Sequence, residues 1–79
     1  MATLIIYRDG SGPIEPRIKA AVRAFYEDHD RLPVAVVVSP AELGEAQEAV
    51  EVLALRVPVR KSGGCLANEV WLEVSQEGQ

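Results

Sequence analysis

Apolar positions along this chain switch between two periods. Residues 3–7, TLIIY, are a tight run of β-branched and aromatic types that stops at RDGSGP (8–13), which predicts a strand and then a turn-rich loop. From Ile14 the spacing changes. Ile14, Ile18, Ala21, Val22 and Phe25 fall on one helical stripe and predict a helix over 14–29, with Arg17, Lys19 and Arg23 between them and facing out. Pro13 and Pro16 suit its first turn, where a missing N–H costs nothing. RLP ends the helix. VAVVV (34–38) then predicts a strand without polar alternation, covered or nearly covered on both faces.

SPAE (39–42) is the sharpest local signal. Ser39 is placed to cap a second helix, Pro40 to occupy its first position, and Glu42 to bond back to the cap. That helix continues through Leu43, Ala46, Val50 and Leu53, with Glu45, Glu48 and Glu51 off the stripe. RVPVR (56–60) reads as a short strand, which Pro58 places beside solvent or an irregularity. KSGGCLA turns the chain. EVWLEV (69–74) alternates, with Val70, Leu72 and Val74 on one face and Trp71 and Glu73 on the other.

The order β-α-β-α-β-β predicts an α/β (α+β) two-layer sandwich. Its mixed four-stranded sheet carries both helices on one face and a final strand antiparallel to the third. The first helix is mildly basic and the second acidic, so cross-helix ion pairs are expected, worth only ~0–1 kcal/mol each where exposed. With both helices on one side, the reverse of the sheet is bare. It carries Leu4 and Ile6 or Ile5 and Tyr7, Ala35 and Val37 or their neighbours, and Trp71. Apolar whichever parity turns outward, it reads as an interface. The partner expected there is a second copy of the chain, or else another protein, with Val37 and Trp71 as contact residues. Trp71 equally suits a cover over the edge of a small core.

Size and charge narrow the classes. At 79 residues the chain is one small domain over 1–79, with SQEGQ (75–79) expected as a frayed tail. Eight basic against twelve acidic residues, a formal charge of −4, argue against a nucleic-acid or anionic-membrane surface, although Arg17, Lys19 and Arg23 form a basic strip. A lone cysteine makes no internal disulfide and fits a reducing compartment. MATLIIYRD lacks a basic leader, and its apolar run is too short for a signal peptide or membrane span, so a cytoplasmic protein is expected.

Candidate chemistry gathers at one rim. In a parallel sheet the loops after the strands meet at one edge, which would bring together RDGSGP, Ser39 and RKSGGC (60–65). Asp9, Ser39, Lys61 and Cys65 are therefore the candidate residues of a small-ligand or thiol-dependent site. GSGPIE (10–15) is a poor phosphate loop, because Glu15 repels phosphate and Pro13 removes a donor. A nucleophilic Cys65 needs a depressed pKa. His29, the only histidine, lies at the opposite end of the fold, leaving Arg60 and Lys61 as the groups to lower it. The competing expectation for Cys65 is a small half-buried residue closing a hairpin turn, with Leu66 pointing into the core. One Cys and one His do not build a zinc site, EDHD (27–30) suits a solvated helix end, and no cofactor is implied. The expected function is a non-catalytic interaction or structural module that self-associates through the sheet face. The rim site is the alternative.

Overall fold

The computed structural model describes residues 3–8 and 12–74. Strand β1 (Thr3–Arg8) leads to helix α1 (Ile14–His29), strand β2 (Ala35–Val38), a single 3-10 turn (Pro40–Glu42), helix α2 (Leu43–Val52), and strands β3 (Val59–Lys61) and β4 (Glu69–Val74). Asp9 and the expected tail at 75–79 lie outside the described residues.

Each helix forms where its apolar stripe predicts. Ile14, Ile18, Ala21, Val22 and Phe25 are all buried along α1, and Ala46, Ala49 and Val50 along α2. α1 stops at Asp30, whose left-handed backbone (φ 58°) lets its N–H donate to the Tyr26 carbonyl at 2.8 Å. α2 ends in a Schellman motif. The Ala54 N–H donates to the Glu51 carbonyl (3.1 Å) and the Leu55 N–H to the Val50 carbonyl (2.9 Å). Ala54 holds the left-handed position (φ 59°) that glycine usually fills.

Both helices pack on one face of the sheet. Their buried stripes share a core with Val36 and Val38 of β2 and Val70 and Leu72 of β4, and Ile5, Tyr7, Leu53, Leu55 and Val59 close its margins. Phe25, Ile18, Val36, Val38 and Leu72 have no exposed surface.

The sheet order, β1-β4-β2-β3, corrects one expectation. β4 does run opposite to β3 but does not form a hairpin with it. The loop over 62–68 carries the chain past the end of β2, and β4 inserts between β1 and β2, antiparallel to both. β2 pairs in parallel with β3 on its other side. The physical reason lies in the partners on offer. β2 is buried at all four positions and needs a neighbour on each edge, whereas β3 is three residues long, follows Pro58, and carries exposed Arg60 and Lys61.

The capping box at SPAE is only half realised. Ser39 makes no side-chain bond to the helix backbone. Its hydroxyl instead donates to the Glu42 carboxylate at 3.3 Å, and the Glu42 N–H closes the turn on the Ser39 carbonyl at 3.0 Å. Glu42 is held by a stronger partner, Arg17.

Candidate functional site

The helix-free face is built by strand parity. Leu4, Ile6 and Arg8 of β1, Glu69, Trp71 and Glu73 of β4, Ala35 and Val37 of β2, and Arg60 of β3 share it. In register, Leu4 lies opposite Glu73, Ile6 opposite Trp71, and Arg8 opposite Glu69. On the other edge of β4, Trp71 lies opposite Val37, which has Arg60 beside it in turn.

This face is not uniformly apolar, which corrects the expectation of a bare hydrophobic layer. The Arg60 Nη1 reaches Glu73 Oε1 at 3.0 Å. Because β2 lies between β3 and β4, that ion pair is a strap across β2. It runs over a strand already flanked on both edges, with Trp71 beside Val37. Ala35 is 0% and Val37 6% exposed, so Val37 has little surface left to offer a partner. A second ion pair, Arg8 Nε to Glu69 Oε2 at 3.0 Å, frames the opposite end. The exposed apolar surface is therefore displaced to the outer strand. Leu4 and Ile6 are each 44% exposed and Trp71 is half-buried beside them.

Glu69 organises this surface, and its role was not anticipated. Its carboxylate accepts the Arg8 guanidinium N–H, the Trp71 indole N–H at 3.0 Å and the Leu66 backbone N–H at 3.3 Å. These bonds, the one from Arg8 foremost, hold its carboxyl below the usual carboxylate range. Gly64 of the crossing loop lies over the indole, where an added Cβ would stand 3.4 Å from the ring. A shallow depression of about 280 Å³ opens between Leu4, Val37, Lys61 and Trp71.

The rim gathers three of its four expected residues but leaves them little chemistry. Val38 pairs with Lys61, the Ser62 N–H donates to the Val38 carbonyl at 3.1 Å, and the Cys65 thiol lies 3.8 Å from the Val37 carbonyl. Ser39, Lys61 and Cys65 thus meet at the end of β2; Asp9 is outside the described residues. Ser39 is buried and bonded to Glu42, and Lys61 is exposed. Cys65 is 3% exposed, with its thiol also 3.5 Å from the Glu69 carbonyl. Burial pushes that thiol up to about 11; Glu69 and Glu42 add to the rise and Arg17 opposes it. A protonated, enclosed thiol is no nucleophile. Leu66 points outward, not into the core, and is 59% exposed, because Cys65 has taken the inward position.

Arg17 also departs from expectation. It is 5% exposed, although read as an outward residue. Position 17 stands three after Ile14 and four before Ala21, so it belongs to the buried stripe. Its guanidinium donates to the carbonyls of Gly12 (3.2 Å) and Ala67 (2.8 Å) and to the Glu42 carboxylate. It pins α1, the 3-10 turn and the crossing loop together. Arg23 pairs instead with Glu27 on its own helix.

His29 packs its ring on Phe25, with centroids 4.4 Å apart, at the end of α1 that leads into β2. Cys65 lies at the opposite end of that strand, so no Cys–His dyad forms. Among the described residues no group of His, Cys, Asp and Glu is placed to hold a metal ion, and no helix is long and apolar enough to cross a membrane. No protein family, functionally described protein or solved structure matches the chain.

Proposed function

We propose that this chain is a non-catalytic interaction module that associates with a second copy of itself through the β1 side of the helix-free sheet face. The observation that carries this reading is the placement of Leu4 and Ile6. Both lie on the outermost strand, 44% exposed, beside a half-buried Trp71 and framed by two ion pairs. A contiguous apolar strip rimmed by charge is the usual makeup of a contact surface. The burial of Cys65 and Ser39 at the rim supports a contact role on the face over catalysis at the rim.

Sedimentation equilibrium tests the proposal. The 8.6 kDa chain is expected to sediment at twice its mass at high micromolar concentration, and the double variant Leu4→Lys/Ile6→Lys at its own mass. Glu48→Ala, on the exposed side of α2 away from the sheet, is expected to leave the dimer intact. A parent chain that stays monomeric throughout that range would refute the reading.

A further inference from the structure

We infer that two copies join edge to edge through β1, forming one continuous eight-stranded sheet about a two-fold axis; this rests on the self-association proposed above and specifies its geometry. Four features support it.

The first is the contrast between the two sheet edges. β3 carries the usual protection of an edge: three residues, a preceding proline, and two exposed cations. β1 carries none along most of its length. It runs for six residues, TLIIYR, with no proline and no charge before Arg8, and among the described strands it pairs with β4 alone. Every second residue of an antiparallel strand turns its N–H and C=O to the side away from its partner. From Leu4 to Arg8, β1 therefore presents backbone groups along the open edge.

The second is self-complementarity. A two-fold axis perpendicular to the sheet pairs β1 with itself antiparallel and keeps all four helices on one side. Residues of equal parity must then face each other. Pairing Ile5 with Ile5 sets Leu4 of each copy opposite Ile6 of the other. The two exposed apolar residues of each copy then pack side by side with those of the other across the junction, and Arg8 falls outside the paired segment.

Clearance on the helical side is the third. Beside β1, Ala20 and Ala24 of α1 line a shallow groove of about 240 Å³ with Tyr7 and Arg8. Both alanines are exposed and lie one helical turn apart. Long side chains there would guard the edge; alanines let a second α1 approach and widen the contact.

The fourth is symmetry. An isologous contact uses one patch twice and closes at two copies, so an unguarded apolar edge is satisfied without growing into a fibre.

Hydrogen exchange of the β1 amides, followed from low micromolar to millimolar concentration alongside sedimentation, tests this. Edge pairing predicts that the β1 amides pointing away from β4 slow by at least ~10-fold as the dimer forms. Ala20→Glu/Ala24→Glu, on the outer side of α1, is expected to weaken the dimer by at least ~10-fold with an unchanged circular dichroism spectrum. A dimer whose β1 amides exchange at the monomer's rate would overturn edge pairing and leave self-association through the face standing. A chain monomeric at high micromolar concentration would overturn both. If the alanine variant misfolds, exchange in the parent chain still decides.

Discussion

Trp71 donates its indole N–H to Glu69, two residues earlier on the same strand, at 3.0 Å. The same carboxylate takes Arg8 from the neighbouring strand, so a single acid fixes both the indole and the β1–β4 register.

This relationship makes stability depend on acid in a defined direction. The Glu69 carboxyl sits below its ordinary 4.5 in the folded chain, mainly through Arg8 and then Trp71. A depressed carboxylate contributes stability that is present above the unfolded value and lost as pH falls through the folded one. Urea midpoints read by Trp71 emission should hold down to about pH 4.5 and drop below it. Glu69→Gln should flatten that drop and shift the indole emission to the red. A parent profile as flat as the variant's would contradict the assignment.

Arg17 should be the most sensitive charged position. Arg17→Met leaves Glu42 without its cationic partner and two loop carbonyls without the guanidinium donor, a loss of about 3 kcal/mol in urea unfolding. Arg17→Lys should recover little, because one ammonium does not span three acceptors in the guanidinium's fork. Recovery to within about 0.5 kcal/mol by lysine would show that charge alone matters at this position.

Cys65 should be slow to alkylate. A thiol moved from 9.0 to about 11 holds ~100-fold less thiolate near neutral pH, before enclosure is counted. Iodoacetamide should label it at the free-cysteine rate only after urea is added. Its raised value also favours the folded chain fully below about pH 9, an advantage lost as pH rises through about 11. Rapid labelling of the native protein would reopen the rim as a reactive site.

Ala54→Gly should stabilise the chain. Ala54 occupies the left-handed position of the Schellman motif, at a steric cost of about 1 kcal/mol that glycine does not bear. A gain of ~0.5–1 kcal/mol in chemical unfolding is expected, and a loss would mean that the flexibility of glycine in the unfolded chain dominates.

The elements and their layering were legible in the sequence because they rest on local periodicity. The Ile14–Phe25 stripe, the polar-free VAVVV and the alternation of EVWLEV each name an element and its buried side. Strand order was not legible. Nothing within KSGGCLA shows that the chain passes β2 instead of folding back on β3, since that choice depends on which edges elsewhere need a partner. Val37 looked available because strand parity alone does not reveal a cross-strand strap between Arg60 and Glu73. Arg17 was misread through residue type, since its position on the wheel already matched the buried stripe. For Glu69, one polar residue at a strand start, no local signal distinguishes an organising acid from a solvated one.

The position of β4 has a kinetic corollary. This segment comes after the other three strands in the chain yet sits second in the layer, so among the described strands β1 gains its neighbour only once residues near Thr3 meet residues near Val74. Closing so long a loop is slow relative to turning a hairpin. During synthesis the greasy TLIIY stretch is therefore made well before β4, the strand that covers its inner edge.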